Sequence, residues 1–395
     1  MPLQFLLTLI GCLFFAIYGG LIVWYHRAWK ALPEFSPTTK QPRTRITVLI
    51  PARNEEENIG NCLRSLALQS YPRHSFEVIV IDDHSTDGTG DIVRALIFPG
   101  LAVRCLPLAD IPGEGGGLAY KKHAIETGIA AATGDLIVTT DADCLFHHDW
   151  LKTLAVFYEE KGAKFIAAPV RMGVPAHPGG SSAHSDPGML TIFQTLDFIT
   201  LQGITGASVF KRFHSMCNGA NLAYEKSAFV EVGGFRGIDA IPSGDDLLLM
   251  HKIYSRYPDQ VFFLKSPAAI VSTQPEPTLP RFIHQRVRWA SKADRYDDKR
   301  ISRVLLLVYV VNSMFVLLAV AACWNSWWLW LLVIGLVAKT AVEFPFVYPV
   351  ARFFDQRALM RWFPLLQPLH ILYTVVIGFM GKFGSYRWKD RKITK

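Results

Sequence analysis

The fold is decided by Gly134-Asp-Leu-Ile-Val-Thr-Thr-Asp-Ala-Asp-Cys144, a short apolar run that ends in two aspartates. The apolar residues Leu136 to Thr140 are β-prone, which predicts a buried strand. Asp141 and Asp143 follow at once, and residues two apart in an extended segment point the same way. Two carboxylates at the end of a strand can hold a hard divalent cation. The pattern therefore predicts either a cation site or a solvated turn.

The residues before this stretch alternate between strand and helix patterns. Strands are predicted over 45–50, 77–81 and 101–106, and helices over 54–67, 90–96 and 120–132. This alternation is typical of α/β proteins with a doubly wound, mostly parallel sheet. In such sheets ligands bind outside the carboxyl ends of the strands. Acidic side chains at several of these ends would repel one another unless a cation or a hydrogen-bonding ligand lies between them.

The composition predicts a membrane protein. Half of the 395 residues are hydrophobic, and these residues are concentrated at the two ends of the chain. The net charge of +8 suits a protein that lies against an anionic membrane and binds an acidic ligand. Because the basic residues lie beside the hydrophobic segments, we expect no nucleic-acid partner. The six cysteines form no Cys-x-x-Cys pair, so neither zinc nor a disulfide framework is indicated.

Residues 3–25 are long and apolar enough to span a bilayer, and the first positive charges follow them at Arg27 and Lys30. The alternative is a signal peptide. The positive-inside rule places the N-terminus outside and residue 27 onward in the cytoplasm.

Three further apolar segments lie over 302–323, 326–348 and 363–381, and Lys339 and Glu343 are predicted to pair within the second. Three full crossings would leave the basic tail outside, against the positive-inside rule. Either the last segment is re-entrant or interfacial, or the number of crossings differs.

The predicted organisation has five parts. They are an anchor over 1–26, a linker over 27–45, a catalytic domain over 46–300, a membrane region over 301–382 and a basic tail over 383–395.

Six motifs occur in a fixed order over about residues 46–290. They are Pro51-x-x-Asn54-Glu55, Asp82-Asp83-x-Ser85-x-Asp87-x-Thr89, Lys121-x-x-Ala124-Ile125 with Gly128, Asp141-Ala-Asp143, Gly244-Asp-Asp246 and Gln285-x-x-Arg288-Trp289. This set resembles the family 2 glycosyltransferases, which have the Rossmann-like GT-A fold with a mixed, mostly parallel sheet. The last motif resembles the membrane-bound branch that includes cellulose and hyaluronan synthases and ceramide glucosyltransferase. The family usually has Glu-Asp where this chain has Asp245-Asp246, and glycine where it has Tyr120.

The resemblance implies a role for each matched residue. Pro51, Ala52, Glu55 and Asp83 would line the uracil and ribose with support from Asp82, while Lys121 would lie near the nucleotide and Asp141 near the ribose or sugar. Asp143 would ligate Mg2+ or Mn2+ on the diphosphate, and Asp246 would be the general base, next to Asp245. Gln285, Arg288 and Trp289 would cover the acceptor end of the site.

These roles imply an inverting, membrane-bound transferase that moves a sugar from a nucleotide-sugar, UDP-glucose first, to a lipid or glycan hydroxyl. We expect an integral protein of a bacterial cell membrane with a cytoplasmic catalytic domain. The alternatives are a processive polysaccharide synthase, a polyprenyl-phosphate sugar transferase and, from another class, a catalytically inactive membrane scaffold.

Overall fold

The computed structural model describes residues 2–37, 41–108, 120–173, 187–213, 216–239, 241, 244–291, 298–384, 386–388 and 391–393. The glycine-rich stretch Gly113 to Gly117 and most of residues 174–190 lie outside these residues. The chain forms two compact units that are discontinuous in sequence. The sheet unit comprises Pro33–Ser182 and Ser215–Gln274, and the helical unit comprises Met1–Leu32, Ala183–His214 and Pro275–Lys395.

The sheet unit is built on a seven-stranded mixed sheet. Its strands are β1 (Ile46–Ala52), β2 (Phe76–Asp82), β3 (Ala102–Pro107), β4 (Leu136–Thr139), β6 (Phe165–Ala167), β8 (Leu222–Glu225) and β9 (Val261–Phe263). Their order across the sheet is β3-β2-β1-β4-β8-β6-β9, with β8 antiparallel to both of its neighbours. A second sheet pairs β5 (Leu145–Phe146), β10 (Val271–Thr273) and β7 (Val170–Met172).

Helices cover the sheet where the chain connects its strands. They are α2 (Ile59–Ala67), α3 (Thr89–Ala95), α4 (Tyr120–Ala131), α5 (Trp150–Lys161), α7 (Lys226–Glu231) and α8 (Leu247–Arg256). Helix α4 packs closely on the strands, because a Cβ atom added at Gly128 would lie 3.0 Å from the side chains of both Leu49 and Ile81. Strands β1, β2 and β4 run parallel and are buried almost throughout, so their carboxyl ends lie at one edge.

The helical unit contains six helices and a terminal hairpin among its described residues. They are α1 (Pro2–Ala31), α6 (Met189–Lys211), α9 (Leu279–Ala290), α10 (Lys299–Ala321), α11 (Ser326–Phe353), α12 (Phe363–Phe383), β11 (Tyr386–Trp388) and β12 (Arg391–Ile393). Four helical segments are long and apolar enough to cross a membrane: Gln4–Ala31, Lys299–Ala321, Ser326–Phe353 and Arg357–Phe383. The predicted Lys339–Glu343 ion pair is confirmed, with 2.6 Å between Nζ and Oε1.

One predicted boundary is wrong. The helix expected from Asn54 begins at Ile59, because Asn54 adopts a left-handed conformation with φ of 52°. Its side-chain oxygen accepts a hydrogen bond from the backbone N–H of Thr86 at 2.9 Å. Asn54 therefore fastens one loop to another instead of starting a helix. The continuous domain predicted over 46–300 stays a prediction. Within this range, α6 and α9 cluster with the helical unit.

Candidate active site

The ends of β1 and β2 lie side by side. Ala52 is the register partner of Asp82, and the backbone N–H of Asp83 donates to the Ala52 carbonyl at 2.8 Å. The Asp83 side chain is almost fully buried, and His84 Nδ1 lies 3.0 Å from one of its oxygens. A guanidinium nitrogen of Arg53 donates to the Asp83 carbonyl at 2.8 Å. This edge offers a fixed acid beside the backbone of β1.

The loop after β2 is tied to the loop after β1. The Glu55 N–H donates to Thr89 Oγ1 at 2.8 Å, and Asn58 donates to the Glu55 carboxylate at 2.9 Å. One oxygen of Asp82 accepts the Ser85 N–H at 3.0 Å. Asp82 therefore holds its own loop, and the supporting role at the nucleotide that the resemblance implies for it stays a prediction.

The two aspartates after β4 have different surroundings. One oxygen of Asp143 accepts a hydrogen bond from the Thr273 hydroxyl of β10 at 2.7 Å. Burial and the charges of Asp141 and Glu55 raise the pKa of Asp143 to about 6, although the Thr273 hydrogen bond opposes this shift. Asp141 is more open, with its side chain 40% exposed.

Lys121 connects the acidic side chain after β4 with the acidic pair before α8. Its Nζ atom lies 2.8 Å from an Asp141 oxygen and 3.5 Å from an oxygen of Asp245. Burial alone would lower the pKa of Lys121, but the charges of Asp141, Asp245 and Asp246 raise it above its ordinary value. Lys121 is therefore held as a cation between acids that come from two distant parts of the chain.

Asp246 caps helix α8. Its two oxygens accept the N–H of Leu247 at 2.8 Å and the N–H of Gly219 at 3.2 Å. The side chain therefore lies at the N-terminal end of α8. These two hydrogen bonds hold the Asp246 carboxylate in one orientation.

Two residues of the site were missed in the sequence. A Cβ atom added at Gly219 would lie 3.3 Å from Lys121 Nζ, 3.5 Å from an Asp245 oxygen and 3.6 Å from the Asp246 Cβ. The only signal was the turn-forming pair Asn218-Gly219 before an apolar run. Thr273 carries no signal, because a single threonine in a short strand is ordinary.

The structure brings together the predicted residues of the sheet unit. Pro51, Ala52, Glu55, Asp82, Asp83, Asp141 and Asp143 follow or end β1, β2 and β4, and Lys121 connects Asp141 with the Asp245–Asp246 pair.

The other three predicted residues lie on α9, in the helical unit. There Gln285 donates to Glu276 at 2.9 Å, and the Trp289 ring lies 4.3 Å below the guanidinium of Arg286.

The donor set suits a divalent cation that is shared with a ligand. Among the described residues, no group of three or more histidine, cysteine or acidic side chains could hold a metal alone. Mg2+ commonly binds through one or two carboxylates, while substrate phosphates and water complete its shell. Asp143 fits this pattern, because a cation could replace the proton that its buried carboxylate favours.

Comparison with known families gives two matches. The family described as "Glycosyl transferase family 2" matches residues 47–215, and "Glycosyl transferase family group 2" matches residues 136–380, more than half of the chain.

Two curated relatives share part of their length with this chain. The chain is 28% identical over 268 residues to "Probable glycosyltransferase YdaM" of Bacillus subtilis, which covers 66% of this chain and 58% of the relative. It is 31% identical over 138 residues to "Glycosyltransferase AglE" of Haloferax volcanii, which covers 35% of this chain and 42% of the relative. The matches thus span about half the length of these relatives.

A solved structure has a similar fold. The mannosyltransferase PcManGT from Pyrobaculum calidifontis, solved in complex with GDP-Man and Mn2+, matches with a TM-score of 0.60 at 22% identity. The match covers 91% of this chain and 98% of that one. This likeness supports the mixed, mostly parallel GT-A sheet that the sequence predicts.

Proposed function

Because the chain belongs to glycosyl transferase family 2, we propose that it transfers a sugar from a nucleotide-sugar donor to a hydroxyl group of a lipid or glycan. The observation that carries this proposal is the cluster around Lys121. The lysine is in contact with Asp141 after β4 and with Asp245 before α8. One acid of the cluster can face the donor while another faces the acceptor, as group transfer between two bound substrates requires.

The donor's nucleoside binds at the ends of β1 and β2. Pro51, Ala52 and Glu55 lie along one side, and Asp83 accepts a base or ribose donor group, with Asp82 supporting the loop. A ligand at this place follows the general rule for open α/β sheets. UDP-glucose is the first donor to test, since the family resemblance implies a uracil pocket here.

The diphosphate lies next to Asp143. Asp143 would hold Mg2+ or Mn2+, and such a cation, when bound, neutralises the negative charge that develops on the leaving diphosphate. Thr273 fixes the orientation of the Asp143 carboxylate through its 2.7 Å hydrogen bond. Lys121 holds Asp141 beside the ribose or sugar, and its positive charge offsets part of the acidic cluster.

Asp246 removes the proton from the acceptor hydroxyl. Its carboxylate accepts hydrogen bonds from the N–H groups of Leu247 and Gly219, which fix its orientation. The hydroxyl then attacks the anomeric carbon from the face opposite the diphosphate. An α-linked donor gives a β-linked product by this route.

The acceptor is a membrane lipid. The helical unit supplies four candidate membrane spans, and α9 of that unit carries Gln285, Arg288 and Trp289. We assign these three residues to the acceptor end of the reaction, with the transfer on the cytoplasmic side of a bacterial membrane.

The test uses the full chain reconstituted with membrane lipids and Mn2+. Wild-type protein should release UDP from one of a panel of UDP-sugars. Mass spectrometry should show a lipid whose mass has increased by that of one residue of the same sugar. Asp246→Asn should lower kcat by about 100- to 10,000-fold, the usual contribution of a general base, without weakening donor binding.

The matched control is Asp149→Asn, which makes the same exchange at the residue before α5 and should retain activity. Absence of nucleotide release from every sugar nucleotide would refute the proposal, and a polymeric product would instead identify a processive synthase.

A further inference from the structure

Helices α1, α10 and α11 of the helical unit pack side by side, so positions along them can be compared on one axis. On α1, Gly11 packs against Met314 of α10, and on α11 a Cβ atom added at Gly335 would lie 2.9 Å from the Phe315 ring. Phe15 of α1 also packs on Phe315, with 6.5 Å between ring centroids. These contacts place the three helices side by side, with α10 and α11 antiparallel across a short turn. Depth can therefore be measured at about 1.5 Å per residue.

The first part of α12 meets α11 at a defined level. Gln367 accepts a hydrogen bond from Lys339 at 3.0 Å and donates one to Glu343. Gln367 is therefore level with the single helical turn that joins Lys339 and Glu343.

The last part of α12 meets α10 at that same level. A Cβ atom added at Gly378 would lie 2.7 Å from the ring of Tyr309. Tyr309 comes about 9 Å before Phe315 on α10, so it is level with the residues about 9 Å beyond Gly335 on α11. Those residues form the Lys339–Glu343 turn. The first and last parts of α12 thus touch the bundle at one depth, although Gln367 and Gly378 are about 16 Å apart along the helix.

Helix α6 also meets the bundle at one level. A Cβ atom added at Gly203 would lie 3.0 Å from the Phe346 ring of α11, and Tyr25 of α1 stacks on that ring at 5.7 Å. Ten residues later, and two residues after α6 ends, Phe213 packs at 5.4 Å on Trp24, which is adjacent to Tyr25. The chain from Gly203 to Phe213 therefore stays at one level of α1, which agrees with a layer of helices at this end.

We propose that α12 lies in the plane of the membrane and does not cross it, with its exposed apolar side in the lipid at the basic end of a three-helix bundle formed by α1, α10 and α11.

The surface of α12 fits lipid as its partner. Its exposed side is a continuous apolar stripe in which every residue is at least 40% exposed: Leu365, Leu369, Leu372, Val376, Phe379 and Phe383. Its opposite side is buried at residues such as Leu366, Ile371 and Ile377. The Lys339–Glu343 turn lies about 22 Å from the start of α11. In a hydrocarbon core of about 30 Å, this depth is near the boundary with the headgroups.

The charges mark which boundary this is. The basic residues that flank the spanning helices lie at the end of α1, the start of α10 and the end of α11: Arg27, Lys30, Lys299, Arg300, Arg303, Arg352, Arg357 and Arg361. The opposite end carries the exposed Trp324, Trp327 and Trp330. With α12 in the plane, Lys382 joins the basic end, and the positive-inside rule is satisfied for the whole helical unit.

Depth measurement tests the proposal without any assay of activity. Spin labels are placed singly at Leu365→Cys, Leu372→Cys and Phe379→Cys in a reconstituted chain whose native cysteines are replaced by alanine. Collision rates with oxygen and with a water-soluble nickel chelate report the depth of each label. We expect equal depths, whereas a crossing helix would separate the first and last labels by about 21 Å.

The matched control is the exposed pair Leu306→Cys and Leu317→Cys on α10, which should differ in depth by about 16 Å. Spin–spin broadening between copies on the α12 stripe would show that a second chain covers it and would overturn the proposal.

A second measurement determines sidedness with otherwise native protein. In sealed vesicles, a membrane-impermeant maleimide should label Lys382→Cys from the same side as Ser36→Cys, which follows α1. Native Cys323, between α10 and α11, should be labelled from the opposite side. Labelling of Lys382→Cys together with Cys323 would show that α12 crosses the membrane.

Discussion

At the scale of single residues, the site has more acidic side chains than basic ones, and they are grouped around one lysine. Lys121 contacts Asp141 and Asp245 directly, and no such cation contacts Asp143 among the described side chains. The pKa of Asp143 is raised because its charge is buried next to Asp141. A protonated Asp143 and a cation-bound Asp143 are two ways to relieve the same repulsion.

We therefore expect a pH dependence that is specific to Asp143. Binding of nucleotide with Mn2+ should weaken by up to about ten-fold per pH unit below about 6, because the ligand must lose its proton. Isothermal titration between about pH 5 and pH 8 would measure this slope. Asp143→Asn should abolish it, whereas Asp135→Asn, immediately before β4, should keep it.

In the metal-free protein, stability should depend on pH in the opposite direction to nucleotide binding. The folded-state pKa of Asp143 is raised, so the folded chain holds this proton more tightly than the unfolded chain, in which the aspartate titrates near 3.8. The contribution of Asp143 to the free energy of unfolding therefore falls as pH rises from about 4 through about 6. With a chelator present, Asp143→Asn should unfold at a higher temperature than wild type at about pH 8, and the two should converge at about pH 4. An unchanged difference between these pH values would contradict the burial argument.

At the scale of elements, the sheet that carries the site depends on close approach of β1 and β4. A Cβ atom added at Gly134 would lie only 2.5 Å from the Thr47 backbone nitrogen and 2.7 Å from the Ile46 carbonyl carbon. Next to this contact, the Glu77 carboxylate accepts hydrogen bonds from the Thr47 and Thr133 hydroxyls, each at 2.8 Å. The start of β4 thus has no space for a larger residue.

Gly134→Ala should lower the free energy of unfolding by about 1–3 kcal/mol, as expected for overpacking. Because β4 leads into Asp141 and Asp143, donor binding should weaken as well. Thermal unfolding and nucleotide titration would measure both effects. Gly188→Ala, where no atom lies within 4 Å of the added Cβ, is the control that should change neither.

The elements differ in how far the sequence could predict them. Apolar runs followed by acids revealed β1, β2 and β4, and their parallel order brings the acids to one edge as expected. The short strand β8 and its antiparallel insertion were not predictable, because a four-residue strand has no distinct period. Contacts such as Gly219 with Asp246 and Thr273 with Asp143 join residues far apart in sequence, and no local pattern encodes them.

At the scale of the whole molecule, a buried polar cluster joins three helices of the helical unit. Lys339 is completely buried on α11, where its ammonium group contacts Glu343 and Gln367. The hydroxyl of Tyr18 on α1 donates to Glu343 as well. Every member has a partner, so the cluster fixes the register of α1, α11 and α12.

Lys339→Met should lower the free energy of unfolding by about 3–5 kcal/mol, because it leaves the Glu343 charge buried and unpaired. The double variant Lys339→Met/Glu343→Leu should recover much of this loss. Thermal unfolding in detergent would compare both with Val337→Met, an exposed position on the same helix. Equal losses in the single and double variants would show that charge burial is not the cause.

The position of β8 also sets the order in which a ribosome can complete this protein. Strand β4 is flanked by β1, which is synthesised early, and by β8, which is synthesised only at residues 222–225. The apolar helix α6 emerges between them and belongs to the other unit. During translation, the strand that leads into Asp141 and Asp143 therefore has one unpaired edge until β8 is made, and such an edge can pair with other chains. The sheet can therefore close only after α6 has been synthesised.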